Sequence, residues 1–187
     1  FTPLAVSVGA GGDYATLNDA LVHISRFRPV YGIPSIRATI TLLTGFVMAE
    51  QIICDGVDLS WITITSVDGV VPVTETAITH VAGPVDYGFA VITPVIAAIK
   101  GGKYPYINVV FRYDTRLTEG RTGLFAAGAG SVINGFHTGC QNAHEYGCFV
   151  FGGGQISADS LSNSDAYLYG TYAKGAGSVI VSGSIYN

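Results

Sequence analysis

Four side chains with an affinity for transition metals fall within twelve residues: His137, Cys140, His144 and Cys148, in the order His-x2-Cys-x3-His-x3-Cys. Imidazole and thiolate together form a zinc donor set. Zinc loops present tighter knuckle pairs, however, and Cys148 falls on a strand position of the repeat described below. The reading is buried thiols and turn histidines, with no metal and no other cofactor. A second group, Arg112, Asp114 and Arg116, is spaced by two and so shares one face of a strand, with Glu119 and Arg121 close behind. Tyr104, Tyr106 and Tyr113 accompany it, and a tyrosine offers a sugar ring an apolar face and a hydroxyl. Tyr104, Tyr106, Arg112, Tyr113, Asp114 and Arg116 are therefore the expected carbohydrate-binding residues; an intersubunit ion-pair set and a plain solvated strand face compete with that reading. Asp159 and Asp165 come nearest to the paired carboxylates of a glycosidase, although thirteen acidic residues always offer some pair. The Gly9-Ala-Gly-Gly12 turn lacks both a following Gly-Lys-Ser/Thr and a complete Gly-x-Gly-x-x-Gly, so no nucleotide site is expected.

The chain that must position these groups has 187 residues, enough for one domain. It is 49% apolar with a mean hydropathy of +0.43, which excludes general disorder. Only 12% of residues are charged, against roughly 25% in an ordinary soluble domain, so part of the surface is expected to lie against other protein. A net charge of −4 excludes a general nucleic-acid binder, which needs a basic stripe. No apolar run approaches the roughly 20 residues of a membrane-spanning helix, and no membrane insertion is expected. Phe1-Thr2-Pro3-Leu4 has neither an initiator Met nor a signal-peptide layout, the pattern of a processed or trimmed product. Three cysteines form no disulfide framework.

One segment is helical by its spacing. Leu17, Ala20, Leu21, Ile24 and Phe27 make a single apolar stripe, with Thr16 and Asp19 as a loose capping pair and Pro29 as a stop. Everything afterwards favours strands: Ile36 to Leu43, Gln51 to Cys54, Trp61 to Thr65, Thr76 to Val81, Phe89 to Ile92 and Ile107 to Tyr113.

The C-terminal third repeats itself. The ten-residue blocks starting at Gly123, Gly147 and Gly170 align without gaps, 24 and 23 residues apart. Their columns are Gly123/Gly147/Gly170, Gly128/Gly152/Gly175 and Gly130/Gly154/Gly177, with aromatic Phe125/Phe149/Tyr172 and aliphatic Val132/Ile156/Val179. A coil of that length holds three short strands and three turns, each coil pairing with the next at roughly 4.8 Å so that equal positions form ladders. The expected fold is all-β, a parallel β-helix with a short N-terminal capping α-helix. Antiparallel hairpins of a sandwich or propeller are the competing topology, and they would reverse the order of the pattern.

The segment Gly9-Ala-Gly-Gly-Asp-Tyr-Ala-Thr-Leu-Asn-Asp-Ala-Leu21, the strand Ala38-Thr-Ile-Thr-Leu-Leu-Thr-Gly45 and Glu50-Gln-Ile-Ile53 resemble the start of pectin-lyase-like right-handed parallel β-helices. That superfamily includes pectin methylesterases and phage tailspikes, and in it a Gly-Asp-aromatic-x-Thr-Ile/Leu turn leads into a helix that caps the stack. The blocks from Gly123 onward are similar to coils of phage tail and spike proteins and of gene-transfer-agent head spikes. The resemblance covers 1–66 and 123–187, while 67–122 matches only in strand character. It implies a lead-in segment with the capping helix over 1–35 and one continuous run of coils over 36–187, truncated or capped by a partner at its C-terminal end. Of the superfamily's catalytic elements, Cys148-Phe-Val-Phe-Gly152 echoes one from the methylesterases, but a cysteine stands where their nucleophilic Asp would be. The lyase and polygalacturonase motifs are missing.

Two function classes follow. One is a structural spike or fibre component of a phage or phage-like particle, on the virion and extracellular after release, adsorbing to host surface polysaccharide. Its partners would be two further copies in a homotrimer and other particle proteins, since Val179-Ile-Val-Ser-Gly-Ser-Ile185 is still in coil register near the end of the chain. The alternative is a polysaccharide-modifying enzyme of the same fold: a lyase, hydrolase or esterase.

Overall fold

The computed structural model describes residues 4–27, 38–80, 94–114, 122–163, 166 and 168–186. Every described strand pairs in parallel, and from β2 onward successive strands alternate between two sheets, which is a parallel β-helix with two strands per coil instead of the three expected from coil length. The long sheet contains β1 (Ala5–Val8), β2 (Ala38–Leu42), β4 (Ile62–Val73), β6 (Tyr106–Tyr113), β8 (Val132–Gln141), β10 (Gln155–Ser162) and β12 (Val179–Tyr186), in that order. The short sheet runs from β3 (Ile52–Asp55) through β5 (Pro94–Ile99), β7 (Thr122–Ala127) and β9 (Tyr146–Phe151) to β11 (Tyr169–Lys174).

Alternation along each strand supplies the core. In the long sheet Ile40, Ile64, Ile107, Ile133 and Ile156 point inward and meet Ile96, Leu124, Cys148 and Val150 of the short sheet. The short sheet is apolar on its other face as well, where Ala97, Ile99, Phe125, Ala127 and Phe149 form a second buried cluster. Strands buried on both faces lose the period of two and read as continuous apolar runs, as Pro94–Ile99 does. That strand went unrecognised in the sequence for this reason.

The helix α1 (Leu17–Ile24) lies beside β3, with Leu21, Val22, Ile52 and Cys54 lining the seam, and so covers the N-terminal edge of the short sheet. Its start is held from two sides. Thr16 Oγ1 accepts the Asp19 N–H at 3.1 Å, as the capping pair predicted. The Glu50 carboxylate, just before β3, accepts the Leu17 N–H at 2.6 Å and the Asn18 N–H at 3.0 Å. The lead-in is part of the stack: β1 pairs with β2 from Ala5↔Thr39 to Val8↔Leu42.

Two strand expectations need correction. Thr76 to Val81 is no strand over its described part: Glu75–Ala77 is a single 3-10 turn, followed by irregular backbone to His80. β4 runs on past Thr65 to Val73, because the Ser66–Gly69 stretch is absorbed as a register shift against β6. Phe89 to Ile92 lies outside the described residues.

The aromatic column forms as expected, Phe125↔Phe149↔Tyr172, with ring centroids 5.5 and 5.4 Å apart. The aliphatic column does not. Gln155 pairs with both Val132 and Val179, and the buried ladder is Ile133/Ile156/Ile180, one residue away from the gap-free alignment at two of its three positions. Turn length explains the slip. Four residues, Gly128–Ser131 and Gly175–Ser178, link the strands in two coils, whereas three, Gly152–Gly154, suffice in the coil between them, and in the coil before them three, Lys100–Gly102, separate Ile99 from Lys103, the residue that bridges to Val132. The serine that closes each long turn reaches into the neighbouring short one. Ser131 Oγ accepts the Gly101 N–H at 2.9 Å, and Ser178 Oγ accepts the Gly153 N–H at 3.2 Å. A Cβ on Gly102 or Gly154 would stand 2.0 or 2.3 Å from a carbonyl oxygen of the preceding coil, so the short turn has no room for a side chain there.

Candidate functional site

The six expected sugar-binding residues do not form one surface. β6 presents its even-numbered side chains outward and its odd-numbered ones to the core, with the pattern Tyr106 half-buried, Ile107 buried, Asn108 exposed. Tyr113 therefore points inward, is fully buried and donates its hydroxyl to the Thr122 carbonyl at 3.1 Å. Tyr104 precedes the strand and is also in the core, 1% exposed. Burial, with Cys54 and Glu50 nearby, pushes its hydroxyl well above the usual tyrosine range. Neither ring is open to a sugar, which corrects that part of the expectation. Arg112 and Asp114 are exposed, and Arg112 Nε donates to Gln141 Oε1 at 2.7 Å across the β6–β8 pair. Six residues of extended strand separate Arg112 from Tyr106, about 20 Å. Arg116 lies outside the described residues, as do Glu119, Arg121 and Asp165.

Tyr106 instead belongs to a groove on the outer face of the long sheet. The groove encloses about 380 Å³ and is lined by Ser60, Tyr104, Tyr106, Asn134, Gly135, Ser157, Ala158 and Asp159. Register explains the grouping. Ile107 pairs with Gly135 and Ala158 with Gly135, so Tyr106, Asn134 and Ser157 stand next to one another on three successive coils. Thr63 continues this row on one side and Val181 on the other. Asp159 shares the outer face two residues beyond Ser157 and is exposed. Gly135, also in the lining, has no room for a side chain, since a Cβ there would stand 2.5 Å from the Ile107 carbonyl oxygen.

The electrostatics of the groove are one-sided. Among the described residues, Asp159 is the one carboxylate in its lining, and no Lys, Arg or His lines it. Lys103, which precedes Tyr104 of the lining, is engaged by Asp58 at 2.8 Å, while Asp58 Oδ1 also takes the Ser60 N–H and hydroxyl at 3.0 and 2.6 Å. Burial raises the Asp58 carboxyl, but the hydrogen bonds from Lys103 and Ser60 outweigh it and hold the group below its ordinary value. Chemically the groove combines two tyrosines, Tyr104 buried and Tyr106 half-buried, with an amide, two serine hydroxyls and a carboxylate, a set that exchanges hydrogen bonds with a polyhydroxyl ligand and, among the described residues, holds no cation for an anion.

The His/Cys group disperses. His137 is exposed on the outer face within 3.2 Å of Ser160 Oγ. Cys140 and Cys148 are buried around Asn163, whose Oδ1 accepts the Cys140 N–H at 2.9 Å and lies 3.4 Å from Cys148 Sγ. Burial pushes the Cys148 thiol up to about 12 and raises Cys140 well above its usual value, so neither offers a thiolate. Among the described residues no group of three or more His, Cys, Asp or Glu side chains could hold a metal ion. No helix of the described residues is long and apolar enough to cross a membrane.

Asp159 was singled out in the sequence only as half of a carboxylate pair with Asp165, and Asn134 and Ser157 were missed there because they are ordinary polar residues. The signal that finds them is the coil register, which stacks positions 134 and 157, 23 residues apart, over Tyr106. No protein family's sequence pattern matches this chain, and no curated protein matches it.

Proposed function

We propose that this chain is a spike or fibre component of a phage or phage-like particle that adsorbs to host surface polysaccharide through the groove on its long sheet. The observation that carries the reading is the row Tyr106–Asn134–Ser157, which places polar groups at the spacing of the coils on a surface that the ladders below hold rigid. The low charge content supports a homotrimer packed along its coils and joined to other particle proteins. So does the last coil, whose Val179 and Val181 are 42% and 50% exposed. The glycosidase alternative needs two carboxylates; among the described residues the groove is lined by one, Asp159, and Asp165 lies outside them. The test is adsorption of the purified protein to host cells before and after enzymatic removal of their surface polysaccharide, with light scattering to count subunits. Loss of binding on stripping and a trimeric mass are expected. Equal binding to stripped cells overturns the adsorption reading, and a stable monomer at micromolar concentration overturns the trimer.

A further inference from the structure

Two properties of the groove narrow its ligand, given the adsorption reading on which this inference rests. Its polar groups climb the stack instead of following one strand: Tyr106 on β6, Asn134 on β8 and Ser157 on β10 each lie one inter-strand step, about 4.8 Å, from the next. Its charge is negative, with Asp159 exposed in the lining and Lys103 already tied to Asp58. Arg112, the exposed cation on β6, is about 20 Å down the strand and hydrogen-bonded to Gln141. An anionic glycan would bring its carboxylates, sulfates or phosphates against Asp159 with no Lys or Arg among the described lining residues to receive them, and like charges in a partly desolvated groove repel.

We propose that the groove takes an uncharged polyhydroxyl chain, a neutral glycan lying along the coil axis, and rejects acidic ones. The Tyr106 ring supports the apolar face of one sugar, while Asn134, Ser157 and Asp159 exchange hydrogen bonds with hydroxyls of the sugars beyond. Asp159 has both roles: acceptor for neutral sugars and repellent for acidic ones.

The experiment probes the intact protein against an array of neutral, uronate-bearing and sulfated oligosaccharides at low ionic strength, alongside Tyr106→Ala, Asp159→Asn and Arg112→Ala. Binding to neutral glycans alone is expected, weakened about tenfold or more by Tyr106→Ala and unchanged by Arg112→Ala. Asp159→Asn should raise the retention of acidic glycans several-fold, and added salt should do the same for the parent protein. All three positions face outward, and matching thermal unfolding curves verify that the variants fold. A preference of the parent protein for acidic glycans overturns the charge inference and leaves adsorption standing. Neutral binding that Tyr106→Ala does not weaken overturns the groove as its site. Binding to no glycan at all overturns the adsorption reading itself.

Discussion

A side chain at Gly123 has nowhere to go. Its Cβ would stand 2.0 Å from Cys140 Cβ and 2.6 Å from the Gly147 carbonyl oxygen. Gly123→Ala is expected to cost about 2–3 kcal/mol, read as a lower midpoint in urea unfolding. Gly152→Ala is the control: its added methyl meets nothing within 4 Å and costs only the left-handed backbone at φ +54°, about 1 kcal/mol. The cysteines are a second case of burial deciding chemistry. All three are buried, and Cys54 and Cys148 are pushed up to about 12. A thiol reagent at pH 8 is expected to label none of them in the folded protein and three per chain in denaturant; fast labelling of any one would contradict the packing. Asp13 carries the pH dependence of the first turn. Its carboxyl is lowered by the hydrogen bond from the Ser7 side chain and then by that from the Ser7 N–H. The carboxylate therefore holds the turn at any pH above the ordinary Asp range near about 3.9, and the contribution is lost as pH falls through the lower folded value. Amide exchange at Ser7 and Tyr14 across that range checks the sign. Which cysteines were buried was legible from the odd count and the repeat. The burial of Tyr104 and Tyr113 was not, because strand parity at β6 is set by its neighbours across the sheet and residue type alone does not reveal it.

Among the elements, α1 shows how far local signals reach. Its stripe and its Thr16–Asp19 cap are written in adjacent residues, so both were legible. Glu50, which completes the cap from 33 residues away, was not. Glu50→Ala is expected to destabilise the protein by about 1–2 kcal/mol, and to raise exchange first at the Leu17 and Asn18 amides. Glu50→Gln, which keeps an acceptor oxygen, should recover part of the loss. The strands divide in the same way. β2, β3, β6 and the first half of β4 announce themselves by β-branched and aromatic residues, whereas β5 is hidden by its two-sided burial and the continuation of β4 to Val73 by an internal shift in register. The aliphatic column failed by one residue because a gap-free alignment assumes turns of equal length, and a turn is where a coil can gain or lose a residue without disturbing the ladders.

At the scale of the molecule, the repeat was enough for the parallel stacking of the blocks from Gly123 onward, since equal positions 23 or 24 residues apart pair one above another, but not for the division into two sheets with two strands per coil. The groove was beyond it, because a site made from one residue per coil becomes visible only when the coils are in register. The alternation of long and short turns gives the stack a parity. Ser131 and Ser178 each serve the loop on the floor below, so like turns never meet between Lys100 and Ser178. Excising the 24 residues Gly128–Phe151 would set two short turns against each other and strand the Gly101 N–H, a buried-donor cost of about 1–3 kcal/mol beyond the lost contacts. Excising the 47 residues Gly128–Lys174 brings Ser178 over Gly101 instead, and this shorter protein is expected to melt at a higher temperature than the less truncated one. A lineage that lengthens or trims such a tower by copying its own segments would then do so in even steps, storeys added or removed two at a time.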